Sequence, residues 1–174
     1  MKKLAKLFFT LIITCNSINA QDHQSYDNYT GDWSNPATWE IGDGNLAPNS
    51  QTNIYGNITV NGNLNLNNGR DLDVYDTLVV TGNLTAICGL FGPYTDITVH
   101  AGGLLIILGD MTGAHSFADI DGDLIIVGEV DLGNWFFDPL DVTGHAYIFD
   151  DTPTITPSIP PNLEDENDIP PRLG

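Results

Sequence analysis

The sequence I58-T-V-N-G62-N-L-N-L decides the fold, because the same pattern returns four more times before Phe149. The later copies read L78-V-V-T-G82-N-L-T-A, T98-V-H-A-G102-G-L-L-I, A118-D-I-D-G122-D-L-I-I and L140-D-V-T-G144-H-A-Y-I. Their glycines are 20, 20, 20 and 22 residues apart, and a second series (Gly69, Gly89, Gly109, Gly128) follows six or seven residues later. A near-constant period of this length is typical of a solenoid. We therefore expect a repeating unit with two strands and two turns.

Within each copy, apolar residues alternate with Asn, Thr or Asp, as in a strand with one buried face. One turn cannot bury that face alone, but stacked turns pair their strands into parallel sheets around a continuous core. The sequence thus predicts an all-β fold: a single-stranded parallel β-solenoid, or right-handed β-helix, of about five turns of roughly 20 residues with an N-terminal cap. The predicted core comprises Ile58, Val60, Leu64, Leu66, Leu78, Val80, Leu84, Ile120, Leu124, Ile126, Val142 and Ile148.

The third copy departs from the pattern by one residue at the adjacent glycines 102–103. The apolar residues before this point are out of phase with Leu104 and Ile106 after it. We expect a β-bulge there, with Val99 in the core and His100 in solvent.

The chain divides into four parts by composition. Residues 1–20 have a basic start, a short apolar run and a small-residue cleavage site at Ala20, which predict a secretory signal peptide rather than a membrane span. Residues 21–53 form an N-terminal segment with a cap, 54–150 the β-solenoid, and 151–174 a proline-rich acidic tail or linker. The signal predicts a secreted, extracellular or outer-surface protein, and Cys15 leaves lipidation open as an alternative to cleavage after Ala20.

Charge excludes several classes of partner. The formal net charge is −18, and removal of residues 1–20 takes all three lysines, leaving two arginines against 23 acids and a net charge of −21. Such a chain cannot neutralise phosphates, so we expect no nucleic-acid partner and no anionic membrane surface. The acidity fits an extracellular protein that stays soluble, or one that binds scattered divalent cations.

Two tryptophans stand six residues apart in T30-G-D-W-S-N-P-A-T-W-E40. We expect Trp33 and Trp39 to fold over the first turn and close its apolar end. The alternative is an aromatic platform on which sugar rings stack.

This opener, G31-D-W-S-N-P-A-T-W39, is followed by Ala47-Pro48 and by the strand-like N53-I-Y-G-N-I-T-V60. In this order the elements resemble the start of secreted β-helical surface proteins of Bacteroidota, which are often exported by the type IX system. The resemblance covers residues 30–150 and implies an architecture and a location, but no activity. The run from Gly122 to Val130 also resembles bactofilin repeats, which are cytoplasmic, whereas the signal peptide favours export.

The columns expected to face outward change from polar to apolar along the solenoid. They read Asn65, Thr85, Leu105, Ile125 and Tyr147, and then Asn67, Ile87, Ile107, Val127 and Phe149. Such a stripe needs a cover, for which residues 135–137 or 41–53 are candidates, or else it binds a partner or a second copy. The aromatic loop with Trp135 and Phe136 could cover the stripe or bind a ligand.

The strongest metal candidate is the set Asp119, Asp121 and Asp123, at alternate positions as in a calcium loop. An ordinary turn explains the same residues, because Leu124 replaces the glycine that such a loop requires. We therefore expect no cofactor, with calcium as the exception. The four histidines fall in different columns, and a lyase or glycosidase would lack either cations or a walled groove. We expect no catalysis.

Together these patterns predict a secreted, non-catalytic structural or adhesive module of a bacterial surface or matrix. Its partner would be a protein or a polysaccharide at the cell surface, or a second copy. The alternative is a carbohydrate-binding or carbohydrate-active β-helix that uses Trp135, Phe136 and neighbouring Asp residues. Exposed coplanar aromatic rings beside carboxylates would favour the alternative, and aromatic rings buried at the caps would favour the structural module.

Overall fold

The structure is a computed structural model that describes residues 22–87, 94–114, 116–133 and 140–149, together with the strand Leu163–Glu164. It is nearly all β. The strands are β1 (His23–Ser25), β2 (Thr30–Asp32), β3 (Trp39–Ile41), β4 (Gln51–Ile54), β5 (Asn57–Val60), β6 (Leu64–Asn65), β7 (Asp71–Val74), β8 (Thr77–Val80), β9 (Leu84–Ile87), β10 (Thr95–Val99), β11 (Leu104–Ile107), β12 (Met111–Ala114), β13 (Ser116–Ile120), β14 (Asp123–Ile126), β15 (Val130–Asp131), β16 (Leu140–Val142), β17 (His145–Ile148) and β18 (Leu163–Glu164). A short 3-10 helix, Pro36–Thr38, precedes β3.

The strands form three sheets around one core. The first sheet has the order β16-β13-β10-β7-β4-β1-β3, the second β18-β17-β14-β11-β8-β5-β2, and the third β15-β12-β9-β6. Every described pair is parallel except β1 with β3. The predicted parallel β-solenoid is therefore confirmed.

Each coil of the solenoid contributes one strand to each sheet. Coils one to four are β4-β5-β6, β7-β8-β9, β10-β11-β12 and β13-β14-β15, and β16 and β17 begin a fifth. The repeating unit thus has three strands and not the two that the sequence predicted. The error arises because the third strand is only two residues long in the first and fourth coils, as β6 and β15, so alternation is hard to recognise there.

The core is a continuous column of inward-facing apolar side chains. Every predicted core residue is buried or, for Ile148, packed against the buried cluster. Leu72, Leu78, Leu84 and Leu105 are fully inaccessible to solvent. Stacked coils therefore supply the burial that a single coil lacks.

The glycines that defined the repeat belong to two different corners. In the second corner, between the second and third sheets, Gly82 N donates to Gly62 O at 2.9 Å and Gly109 N donates to Gly82 O at 3.2 Å. In the first corner, between the first and second sheets, Asp123 N donates to Gly103 O and His145 N donates to Gly122 O. Gly82 therefore stacks on Gly109 and not on Gly102, the residue that the repeat aligns with it.

A side-chain ladder fixes the second corner. The Asn63 Oδ1 atom accepts from Asn83 N at 2.9 Å, and Asn83 Oδ1 accepts from Asp110 N at 3.1 Å. Asp110 Oδ1 in turn accepts from Glu129 N at 3.0 Å. Each side chain satisfies a backbone N–H of the next coil, so the polar residue after the corner glycine has a structural role.

The third coil carries two extra residues at the first corner. Its strands β10 and β11 are separated by residues 100–103, whereas β7 and β8 are separated by 75–76. Instead of the predicted bulge within one strand, the structure has a longer corner between two strands. The apolar residues on either side of it differ in phase because they belong to different strands. Val99 lies in the core and His100 faces outward, as expected.

Aromatic side chains lie over the N-terminal end of the core. Trp39 is buried and Trp33 packs against the same cluster. Their rings meet edge to face at 4.8 Å, Trp39 Nε1 donates to Trp33 O at 2.9 Å, and Trp33 Nε1 donates to Gly44 O at 3.0 Å. Both indole N–H groups are satisfied, so the rings contribute apolar area without an unpaired donor.

Candidate interaction surface

The outer side of the second sheet changes from polar to apolar along the solenoid. One outward row, in register from coil to coil, consists of Thr59, Val79, Ile106, Ile125 and Tyr147. Parallel stacking places neighbouring members about 4.8 Å apart, so the apolar members form one continuous strip.

A second outward row lies beside it at the second corner. Thr81 N donates to Val60 O, Leu108 N to Val80 O and Val127 N to Ile107 O, so these outward residues follow one another in successive coils. Leu108 and Val127 are each 48% exposed, and Phe149 continues the row. We call Ile106, Leu108, Ile125, Val127 and Tyr147 the apolar strip.

Two members of the apolar strip are buried although they face outward. Ile125 is 8% exposed and Tyr147 is 1% exposed. Their strand neighbours Leu124, Ile126 and Ala146 point into the core. Ile125 and Tyr147 are therefore buried on the outer side of the sheet and not in the solenoid interior. The apolar strip thus has a buried part on β14 and β17 and an exposed part at the corner.

The structure corrects two of the residues assigned to this surface. Leu105 and Ile107 are fully buried and pack in the core, so their predicted outward orientation is wrong. The cause is the longer first corner of the third coil, which sets Leu105 in register with Leu78 and turns Leu104 and Ile106 outward. Val127 is exposed as predicted. Trp135 and Phe136 lie outside the described residues.

The segment 41–53 does not reach the apolar strip. Residues 42–44 contact His23 and Trp39 at the N-terminal end, and residues 51–53 belong to β4 of the first sheet. The expectation that this segment covers the strip is therefore wrong. The other expected cover, residues 135–137, lies outside the described residues.

The three candidate calcium ligands lie on two different faces. Asp119 and Asp121 are exposed, on the first sheet and at its corner, whereas Asp123 is 4% exposed on the second sheet. Asp121 accepts a hydrogen bond from the Thr143 hydroxyl, and Asp123 Oδ1 lies 3.1 Å from His145 Nδ1. The three side chains do not share a face, because Asp119 lies on β13, Asp121 at the corner and Asp123 on β14. In the part of the chain that the structure describes, no three His, Cys, Asp or Glu side chains form a group that could hold a metal ion.

Carboxylates collect on the outer face of the first sheet. Burial raises the pKa of Asp119, and the charges of Asp141, its in-register neighbour, and of Asp121 raise it further. Burial likewise raises the pKa of Asp96, followed by the charges of Asp71 and other carboxylates. Like charges that face each other on neighbouring strands destabilise a sheet. This face is therefore strongly negative, whereas the apolar strip carries no charge.

The sequence patterns did not predict a ladder of stacked aromatic rings that lies at the first corner. Tyr55 stacks on Tyr75 with ring centroids 4.5 Å apart, and Tyr75 stacks on His100 at 3.9 Å. His100 Nε2 also lies 2.8 Å from Asp73 Oδ1. The spacings of 20 and 25 residues could have revealed the ladder, but only if the extra residues of the third coil had been placed correctly. Rings stacked face to face expose their edges, so the ladder is not a flat platform for a sugar ring.

The described histidines do not meet. His23 is buried at the N-terminal end, His100 lies on the first corner, and His145 pairs with Asp123 on the second sheet. His115 lies outside the described residues. Within the described ranges, no helix has the length and apolar character needed to cross a membrane.

Comparison with known proteins adds no family to this description. No protein-family model matches the chain, and comparison with curated proteins and with solved structures finds no significant match.

Proposed function

We propose that this protein is a secreted, non-catalytic β-solenoid that serves as a structural or adhesive module of a bacterial surface or extracellular matrix. The exposed part of the apolar strip, at Leu108 and Val127, is its contact surface, and the partner is a protein or polysaccharide at the cell surface, or a second copy. The resemblance of the Trp33–Trp39 opener to secreted Bacteroidota surface proteins supports the same location.

The observation that carries this proposal is the contrast between two faces of one regular solenoid. The first sheet presents in-register carboxylates, whereas the apolar strip on the second sheet is uncharged on a chain with a net charge of −18. An uncharged strip with exposed apolar corners is a feature of contact surfaces.

The proposal is tested with the full chain and one substitution on the strip. Leu108→Asp adds a charge to an exposed position, so it should leave the fold intact while weakening contacts. Thr81→Asp places the same charge in the same outward row one coil earlier and serves as the control, although it also replaces a hydroxyl that donates to Val60 O and accepts from Gly62 N. The readouts are sedimentation velocity over a range of concentrations and co-sedimentation with cellulose, with chitin and with a bacterial outer-membrane fraction.

We expect the wild type and Thr81→Asp to associate or to be retained on at least one of these probes, and Leu108→Asp to lose this behaviour. Equal retention of Leu108→Asp would show that the strip is not the contact surface. Secretion is tested separately by expressing the chain in a Gram-negative host and measuring the intact mass of the exported form. The proposed signal predicts the loss of residues 1–20.

A second candidate, carbohydrate binding, is favoured by one observation. Tyr75 is exposed and lies close enough to Asp73 for that charge to raise the pKa of its phenol, after the larger effect of burial, and phenol and carboxylate oxygens can bond sugar hydroxyls. Tyr75→Phe removes one hydroxyl and keeps the stack. Loss of retention on cellulose or chitin in Tyr75→Phe, with retention kept in Leu108→Asp, would establish this second function in place of the first.

A further inference from the structure

His23 is a buried histidine at the N-terminal end of the solenoid, far from the apolar strip in the coil order. It is 1% exposed and stands in register with Thr52 of β4. Its ring meets that of Trp39 edge to face, with centroids 6.0 Å apart. The side chain therefore occupies a core position beneath the cap.

The hydrogen bonds of His23 show which of its ring nitrogens acts as an acceptor. Its Nδ1 atom accepts from the backbone N–H of Asp43 and from that of Gly44, each at 3.2 Å. A ring nitrogen that accepts carries no proton, so the proton of the neutral ring is on Nε2. Nε2 is buried and has no hydrogen-bond partner among the described residues. The two accepted bonds are therefore the polar contacts that hold the ring.

The loop that donates these bonds fits tightly over the ring and the cap. A side chain at Gly42 would overlap His23 Nδ1, and one at Gly44 would lie 2.6 Å from the Trp39 ring. The Gly44 carbonyl accepts from Trp33 Nε1 at 3.0 Å. The loop thus connects the ring nitrogen to both tryptophans, and its release would loosen all of them together.

We propose that His23 is an acid-sensitive latch of the N-terminal cap. Protonation of Nδ1 removes the acceptor of the Asp43 and Gly44 amides and leaves a positive charge in an apolar site, so the loop 42–44 detaches from the tryptophans. Histidine side chains in general change charge between pH 5 and 8, so this is the range in which the latch is tested.

The charged groups around the ring do not compensate for this loss. Asp43 Oδ1 lies 3.9 Å from Nδ1, but its side chain is 66% exposed, so water screens its attraction. On the paired strands, Glu40 accepts from Gln24, Asp22 is exposed ahead of β1, and β4 contributes the uncharged Thr52 to the His23 side. Protonation therefore exchanges two backbone hydrogen bonds for one screened ion pair.

The experiment measures the opening of the cap locally, in the full chain carrying Trp135→Phe so that Trp33 and Trp39 report alone. Hydrogen exchange of peptides covering residues 39–46 is followed from pH 7.5 to 5.0 and corrected for intrinsic exchange rates. If the uptake of one proton opens the latch, the corrected exchange rate rises with acidity by up to about tenfold per pH unit. Tryptophan emission shifts to the red over the same range.

His23→Asn separates the latch from general acid effects. Its Oδ1 atom can take the place of Nδ1 and accept both amides, but it does not titrate. We expect exchange and emission in this variant to be independent of pH over the range, whereas His100→Asn keeps the wild-type response. The same acid response in His23→Asn as in the wild type would overturn the proposal.

A second measurement requires no variant and stays decisive if His23→Asn fails to fold. Nuclear magnetic resonance of the wild type follows the His23 ring nitrogens together with the amides of Asp43 and Gly44. We expect both amides to lose protection as Nδ1 gains its proton. Amides that stay protected next to a protonated ring would refute the latch.

Discussion

Two adjacent isoleucines on β11 give the sharpest test of the structure. Ile107 is fully buried in the core, whereas Ile106 lies on the outer face and is partly exposed. Truncation to alanine removes the same atoms and the same strand propensity at both positions, so the difference between the two variants isolates the face on which each residue lies.

The expected magnitudes follow from burial. Ile107→Ala leaves a cavity among inward residues of three coils and should lower the free energy of unfolding by about 2–5 kcal/mol. Ile106→Ala removes partly exposed surface and should lower it by about 1 kcal/mol beyond the shared loss of propensity. In urea unfolding, a difference of about 2 kcal/mol moves the midpoint by about 1 M if the slope is about 2 kcal/mol per M.

The assay is urea unfolding followed by circular dichroism, with slopes compared so that partial unfolding of the repeat is recognised. Repetition of the nine-residue pattern from the sequence alone places Ile106 inward and Ile107 outward, which is the opposite order. If Ile106→Ala is the more damaging variant, the register of β11 against β8 is wrong, and with it the assignment of the corners.

Three further predictions follow from the corners and the outer faces. Gly109→Ala should lower the free energy of unfolding, measured in urea, by about 1–3 kcal/mol, because the new Cβ would overlap the corner beneath. Gly102 has open space around it and a φ of +88°, so Gly102→Asn should lower the free energy of unfolding by about 1 kcal/mol or less. The raised pKa of Asp119 means that the folded state binds more protons than the unfolded one, so urea midpoints should rise as the pH falls from 7 through the folded-state pKa. Asp119→Asn should weaken this rise and, by relieving repulsion from Asp141, add about 0.2–1 kcal/mol at neutral pH; no change in either quantity would refute the coupling. Tyr75→Leu should lower the melting temperature through the loss of two ring stacks of about 0.5–1.5 kcal/mol each, and an unchanged melting temperature would show that the ladder contributes nothing.

The fold class could be predicted from the sequence because it depends on local alternation and on a constant period. Residues such as Ile58 and Val60 alternate with polar neighbours, and this alternation indicates which side chains need burial. The predicted outward column from Asn65 to Tyr147, by contrast, mixes two sheets, because Asn65 and Thr85 lie on β6 and β9 of the third sheet. The burial of Trp39 at the N-terminal end also agrees with a prediction from its size and position.

The identity of the corners could not be predicted from the sequence. Gly82 and Gly102 are 20 residues apart, as the period requires, yet Gly82 belongs to the second corner and Gly102 to the first. In the structure, paired residues of β8 and β11 are 27 positions apart, and not 20. The spacing of 20 between Gly82 and Gly102 therefore arises by chance, since the two glycines lie at different corners. A glycine turn looks the same in sequence at either corner.

The sequence by itself determined that the chain stacks short strands into a parallel solenoid, because alternation and period are properties of neighbouring residues. Only the tertiary structure decided that three sheets enclose the core, that Ile107 lies inside, and that Tyr75 and His100 form one ladder. The physical reason is that contacts between coils depend on the length of every intervening turn. At the longer corner, Gly103 and not Gly102 corresponds to Gly122 of the next coil, and this difference of one residue is enough to exchange the predicted inner and outer faces of β11.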